Sequence, residues 1–362
     1  MNDSTRTACP EPLQNWLIQA ADSGASDLHL VVAHPPVLRL HGDLRELAAP
    51  PLDADAVQGL LEPLCPPHAL ACFRTDKNVD FAFELSRPGT THRFRANYFL
   101  SSQQWGACFR VIPTQIPDFQ WAGFPEDLAR RLAHYRNGLV LFCGVAGSGK
   151  TTSLAMIVNL LNQEGGYRII TVEQPVEYIF SRTPHSVVTQ REVGLDVNTF
   201  ADGLKFGLRQ DPDVILAGEI RDQETAQVAL SAAETGHLVF STLHTRDAKG
   251  AISRYADLFP QDVQREIRSQ LSFSLRAVVS QHLLPSIHKG DKRVLALEVM
   301  YNTAPIAAAI RFGKIESIDN NILTGRNEGM VTLDESIRRL LNDGLISRET
   351  AEHYVSSADR LY

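Results

Sequence analysis

Apolar residues along the chain follow two rhythms, and the change between them divides it. Up to about residue 112 the segments are short and half-apolar. Glu11 to Ala20 has the spacing of a short amphipathic helix. Leu28 to Val32 reads as a strand, and a turn at Pro35-Pro36 leads to a second, Val37 to Leu40. Asp53 to Leu64 predicts another helix, stopped by Pro66-Pro67. Val79 to Leu85, His92 to Phe99 and Gly106 to Val111 alternate as half-buried strands do. A proline-punctuated segment, Ile112-Pro113-Thr114-Gln115-Ile116-Pro117, then breaks the pattern as a linker does.

Beyond the linker the apolar runs become continuous, which fits strands buried on both faces. Pro125-Glu126-Asp127 opens a helix with acidic residues suited to its N-terminal dipole, and Gly138 is expected to close it. Strand-like runs at Leu139–Cys143, Arg168–Val172, Val214–Ala217 and Leu238–Thr242 alternate with helical stretches, which predicts a largely parallel sheet. The C-terminal part reads as helical. Thr332-Leu333-Asp334-Glu335 is a capping box ahead of Ile337, Leu340 and Leu341, and Asn342-Asp343-Gly344 ends that helix. The division is therefore a small α/β domain over residues 1–112, a linker over 113–122 and a larger α/β domain over 123–362. A length of 362 residues is ample for two cores.

Composition narrows the function classes. A hydrophobic fraction of 44% with 21% charged residues is that of a globular protein. The net charge of −7 gives no global attraction to nucleic acid, and none is expected as a partner. No apolar run has bilayer length, so no transmembrane segment is expected, and the first residues lack the basic-then-apolar order of a secretory signal. Five cysteines without a C-x-x-C pair point to a reducing cytoplasm rather than to a zinc site or disulfide framework.

The chemistry begins at Gly144-Val145-Ala146-Gly147-Ser148-Gly149-Lys150-Thr151-Thr152, which fits G-x-x-x-x-G-K-[ST] between a strand and a helix. Glycines let backbone N–H groups converge on an anionic centre, and the helix N-terminus adds partial positive charge. ATP is the expected ligand, with Lys150 on its β- and γ-phosphates and the Thr151 hydroxyl on Mg²⁺. In open α/β sheets ligands bind beyond the carboxyl ends of the strands. The second strand of the larger domain ends at Glu173, the third at Glu219 and the fourth at His244. Glu219 is the candidate for orienting the attacking water beside Mg²⁺; a helix cap or a salt bridge to Arg221 is the bland alternative. Glu173 is a second candidate for metal or water ordering, and His244 for sensing the γ-phosphate or for a purely structural role. Arg93, Arg95 and Asn97 share one strand face, with Arg110 on the neighbouring strand. They form either a solvated basic face or a set of arginine fingers.

Taken together, these motifs resemble those of the type II/IV secretion ATPase superfamily, and within it the type IV pilus retraction ATPases (the PilT class). The resemblance is carried by Ala25-Ser26-Asp27-Leu28-His29-Leu30, Arg93-Phe94-Arg95-Ala96-Asn97 and Phe109-Arg110-Val111-Ile112-Pro113. It extends through Glu173-Gln174-Pro175-Val176-Glu177-Tyr178, Gly218-Glu219-Ile220-Arg221-Asp222, Ala233-Glu234-Thr235-Gly236-His237 and Thr242-Leu243-His244-Thr245. It implies a PAS-like N-terminal α/β domain followed by a RecA-like P-loop ATPase domain with a helical C-terminal part. It also implies a homo-hexameric ring with ATP between the two domains and Arg93, Arg95 and Arg110 as phosphate ligands. The implied load is an inner-membrane pilus platform protein, which would hold a cytoplasmic ATPase at the membrane. Two positions depart from the family pattern. Gln174 stands where relatives usually carry aspartate, and Ala307 and Ala308 replace the early arginine and asparagine of the motif AIRNLIRxGK, here Pro305 to Lys314. They leave open an accessory nucleotide-binding role beside a paralogous ATPase. A conjugation or secretion motor is the other alternative. The absence of a four-cysteine insertion favours the retraction branch.

Overall fold

The computed structural model describes residues 9–40, 42–87, 90–112, 115–288 and 292–355. The chain forms two compact units, residues 1–115 and 116–362. In the first, α1 (Glu11–Asp22) precedes β1 (Asp27–Leu30), β2 (Val37–Leu40) and β3 (Asp43–Glu46). Next come α2 (Ala54–Leu61), α3 (Pro67–Asp76), β4 (Asn78–Arg87), β5 (Thr90–Ser101) and β6 (Gln104–Ile112). The strands form one antiparallel sheet in the order β3-β2-β1-β6-β5-β4.

Alternation decides what each face of that sheet carries. On β5, Phe94, Ala96 and Tyr98 are buried while Arg93, Arg95 and Asn97 lie on the other face. The inward face packs with Leu13 and Leu17 of α1, Val57 and Leu61 of α2 and Phe73 of α3. The buried Tyr98 hydroxyl donates to the Leu61 carbonyl at 3.0 Å, which avoids an unpaired polar group in the core. Pro66-Pro67 does not simply stop a helix. α2 ends at Leu61, and Pro67 occupies the first turn of α3, where a missing N–H is harmless. Of the proline-rich linker, Pro113 and Thr114 lie outside the described residues, and Ile112 is the last residue of β6.

The second unit begins with α4 (Phe119–Ala122) and α5 (Glu126–Ala133). The alternating part is β7 (Gly138–Cys143), α6 (Lys150–Glu164), β8 (Arg168–Glu173), β9 (Val187–Glu192), α7 (Phe200–Gly207), β10 (Val214–Ala217), α8 (Gln223–Glu234) and β11 (Leu238–Leu243). It continues with α9 (Ala248–Asp257), α10 (Gln264–Ser274), β12 (Leu275–Leu284) and β13 (Val294–Tyr301). The end is helical: α11 (Ala304–Phe312), α12 (Ile318–Thr324), α13 (Leu333–Asn342) and α14 (Arg348–Tyr354). Gly138 does not close α5, which ends at Ala133; with φ at 114° it opens β7 instead.

The sheet order is β13-β12-β7-β11-β10-β8-β9, parallel except for β13. β7, β10 and β11 are buried at every residue, as strands covered on both faces must be. Thr332 caps α13 by accepting from the Glu335 N–H, as the capping-box pattern predicts. α13 packs against β13 through a small separate core that includes Leu284, Ala296 and Ile337. Among the described residues no helix is long and apolar enough to cross a membrane.

Candidate active site

The phosphate loop leaves β7 at Gly144 with φ at 145°, and Gly147 and Gly149 have φ at 74° and 89°. Gly144 admits no side chain, because a Cβ there would collide with the Gln281 carbonyl and the Ser148 hydroxyl. Val145, Ala146 and Gly147 are exposed along the loop, whereas Ser148 is buried with no partner for its Oγ among the described residues. Gly149, left-handed, is the residue from which α6 starts. Lys150 follows at 7% exposure, its Nζ donating to the carbonyls of Gly144 at 2.8 Å and Val145 at 3.1 Å. Burial lowers its pKa, and the nearby carboxylates of Glu219 and Glu177 oppose that fall. Thr151 sits half-buried in the first turn of α6, and Thr152 Oγ1 lies 3.0 Å from the Tyr178 hydroxyl.

The other candidates of this unit stand at the ends of the next strands in order. β11, β10 and β8 lie side by side beyond β7, so His244, Glu219 and Glu173 follow one another along the carboxyl edge of the sheet. The strand ends are tied together. Thr242 Oγ1 donates to the Gly218 carbonyl at 2.7 Å, and the Gly218 N–H donates to Val172 at 2.8 Å.

The two carboxylates differ in electrostatic environment. Glu219 is 15% exposed, with Arg221 Nη2 at 2.7 Å from one oxygen and His244 Nε2 at 2.9 Å from the other. Burial works against its charge, but these two partners outweigh it and hold the carboxyl below the usual range. The salt bridge to Arg221, the bland expectation for Glu219, is formed, and the Glu219 carboxylate is also close enough to Lys150 to act on its charge. Glu173 is buried; burial raises its pKa, although Thr171 Oγ1 donates to it at 2.6 Å and Gln190 Nε2 at 3.2 Å. The two carboxylates are thus shifted in opposite directions, Glu219 toward the anion by its partners and Glu173 toward the neutral acid by burial.

In the first unit the arginines lie together as the alternation predicts. Arg95 faces Arg110 across β5 and β6, and Arg93 faces Ile112. Each is bridged to a carboxylate of its own sheet. Arg93 Nε lies 3.2 Å from Glu84, Arg95 Nε 3.1 Å from Asp80 and Arg110 Nε 3.0 Å from Asp27. Asp27 is buried while the Arg110 side chain is 63% exposed, so that pair holds its arginine by one buried end.

This geometry can be compared with known proteins. The model of the type II/IV secretion system protein family matches residues 6–326. The type IV pilus retraction ATPase PilT of Pseudomonas aeruginosa is 42% identical over 92% of this chain and 94% of its own length. The type IV pilus ATPase PilU of the same organism is 35% identical over 94% and 87%. A crystal structure of the pilus retraction motor PilT with bound ADP, 38% identical, covers 96% of this chain and 98% of that one with a TM-score of 0.85. The chain belongs to the type II/IV secretion system protein family. Within that family it is a PilT-type P-loop ATPase, as the resemblance of the motifs implied.

None of the three residues at which this ATPase departs from the expected PilT-class pattern is fully buried. Gln174 is exposed beside the buried Glu173, so the missing charge belongs to the solvent side of the acidic box. Ala307 and Ala308 are half-buried on α11, the helix that ends at the left-handed Gly313. Some residues of the ATPase site carry no sequence signal. Arg293 Nη2 donates to the Gly147 carbonyl at 3.1 Å, and Gln281 Nε2 to Ser153 Oγ at 3.1 Å from beneath the loop. Neither lies in a motif, and both come from β12 and the chain before β13, elements the apolar pattern did not resolve. Thr151, Glu173 and Glu219 are hard oxygen donors of the kind Mg²⁺ takes alongside substrate phosphates.

Proposed function

We propose that the chain is the ATPase motor of type IV pilus retraction, working as a homo-hexamer on an inner-membrane platform protein. The observation that carries the proposal is Glu219, favoured as an anion by Arg221 and His244 two strands away from the strand that feeds the phosphate loop. ATP drawn into the loop gives Lys150 a better partner than the carbonyls of Gly144 and Val145. Its ammonium then transfers to the β- and γ-phosphates while loop N–H groups take the remaining oxygens. Glu219 orients the attacking water and accepts its proton. His244, bonded to Glu219, reports the γ-phosphate to that carboxylate. Mg²⁺, when bound, neutralises charge on the phosphates; Thr151 would hold it, with Glu219 or Glu173.

Arg93, Arg95 and Arg110 act in this reading as phosphate ligands that complete the site, leaving Glu84, Asp80 and Asp27 as they do so. Closure on ATP and reopening after hydrolysis would then follow from the different affinities of the two states for nucleotide. The cytoplasmic face of the inner membrane, reached through the platform protein, is the site of action that fits. The domain boundaries that fit are residues 1–112, 113–122 and 123–362.

Mg²⁺-dependent phosphate release by the sized oligomer tests the proposal. Glu219→Gln should lower kcat about 10²-fold or more with little change in ATP binding. Wild-type turnover in that variant would remove Glu219 from its role. The pilus load is tested separately, by restoration of twitching in a strain lacking its retraction ATPase. Gln174 and Ala307/Ala308 support a second reading, a nucleotide-binding subunit that works beside a paralogous ATPase; robust turnover by the purified protein alone excludes it.

A further inference from the structure

The segment that follows His244 is fastened from below by a row of side chains outside every motif. Cys143 of β7 stands in register with Ser280 of β12, and Ser280 with Glu298 of β13. Residues directly opposite one another across a sheet project to the same face. Three consecutive residues of the turn into α9 lie on this row. Ser280 Oγ donates to the Arg246 carbonyl at 2.7 Å, Cys143 Sγ reaches the Asp247 carbonyl at 3.5 Å, and Glu298 Oε1 accepts from the Ala248 N–H at 2.7 Å. His282 Nε2 lies 2.9 Å from the same Arg246 carbonyl. Asp247 then caps α9 by accepting from Gly250 at 2.7 Å.

Glu298 is the unexpected member of the row. It is a buried carboxylate set against the first N–H of a helix, where the backbone offers partial positive charge. Burial pushes its pKa up to about 7; Asp247 and Asp319 act the same way, and the N–H groups of Ala248 and Leu333 oppose them. An apolar residue would fill the space without the expense of burying a charged group, but it would leave the Ala248 N–H without its partner.

We propose that Glu298 is a positioning residue for ATP hydrolysis. By holding the Ala248 N–H it fixes the turn from which His244 reaches Glu219 at 2.9 Å. The inference rests on the roles given above to Glu219 and His244. Its route is short: Glu298, the Ala248 N–H, four residues of backbone, the His244 ring, the Glu219 carboxylate. Displacing a reacting group by about 1 Å through a remote change costs on the order of 10²-fold in rate. The anchor is an acceptor atom, so an amide at position 298 preserves it.

Steady-state ATP hydrolysis by the sized full-length oligomer tests this. Glu298→Leu should lower kcat about tenfold or more with KM for ATP within about twofold, whereas Glu298→Gln keeps at least about half of kcat. In a His244→Ala background Glu298→Leu should add no further loss. Wild-type kcat in Glu298→Leu, equal losses in the leucine and glutamine variants, or full additivity with His244→Ala would each overturn the proposal and leave Glu219 and His244 in place. Wild-type turnover in His244→Ala alone would overturn the role of His244, and this inference with it. Should Glu298→Leu fail to assemble, Glu298→Met decides: it keeps the length of the side chain without an acceptor for the Ala248 N–H while Asp247 still caps α9, and an unchanged kcat there overturns the proposal.

Discussion

The strand ends of the second unit and the arginine face of the first both pair acids with bases, but with opposite consequences. Lys150 and Glu219 are largely buried, and their partners come from the loop and strand ends around them. Arg95 and Arg110 are more open, each bridged to one carboxylate of its own sheet. Buried polar groups are fixed by the expense of leaving them unpaired, whereas exposed ion pairs are worth about 1 kcal/mol or less. The first region is therefore preorganised. The second is restrained unevenly, weakly at Arg95, whose partner Asp80 is half-exposed, and more firmly at Arg110, whose partner Asp27 is buried.

The largest effect should come from the buried side. On the role proposed for Lys150, Lys150→Ala removes the charge for the β- and γ-phosphates and should lower ATP turnover by about 10³-fold or more. Turnover within tenfold of wild type, measured on correctly assembled protein, would mean that the loop binds nucleotide without acting on it.

Burial also predicts a pH signature for Glu298. Its carboxyl is raised from 4.5 to about 7 in the fold, so between those values the native chain binds a proton that the unfolded chain has lost. Stability attributable to this group is intact below about pH 4.5 and falls as pH rises through about 7. Asp247 and Asp319 face it with like charge, and Asp319 is itself paired with Lys249 at 2.8 Å. Glu298→Gln should thus gain about 2–3 kcal/mol on wild type between about pH 5 and pH 8 in denaturant titrations. A parallel pH dependence of the two proteins would refute the buried, high-pKa carboxylate.

How far the sequence could be read follows the same division between local and long-range information. The phosphate loop, the strand before it and the helix after it, and the alternation of Arg93, Phe94 and Arg95 are local patterns, and each is found where the pattern puts it. β12 and β13 were not resolved. Val294 to Tyr301 is apolar except for Glu298, and such a run fits a buried helix as well as a buried strand, while Leu275 to Leu284 carries Arg276, Ser280, Gln281 and His282 without strand alternation. β3, exposed at all four positions, and β9, exposed or half-buried throughout, offer no apolar face to read. The consequence reaches the site. Gln281 and Glu298 lie on the two unread strands, and Arg293 just before β13, so their approach to the loop and to α9 was hidden with the strands.

The arginine face should respond more weakly than Lys150. Arg95→Ala and Arg110→Ala should leave assembly intact, as judged by gel filtration, and slow hydrolysis by about tenfold or more if phosphate contact is their task. Unchanged turnover would return them to a solvated face held by Asp80 and Asp27. The carboxylates give the reverse test, since Asp80→Asn should leave hydrolysis near wild type while it frees Arg95 from its bridge.

The smallest effects are those that compare the two acidic partners. Asp80 is half-exposed and Asp27 buried, although both bridge an arginine on the same face. Asp80→Asn should change the unfolding free energy by no more than about 0.5 kcal/mol, because water replaces what is lost. Asp27→Asn should cost about 1–2 kcal/mol, because the buried end of the Arg110 bridge loses its charge where water cannot replace it. Equal, small effects at both positions would mean that the Asp27 bridge is as easily exchanged as an exposed one. Arg110 would then be as free to leave its carboxylate as Arg95, and the arginine face would carry no graded restraint.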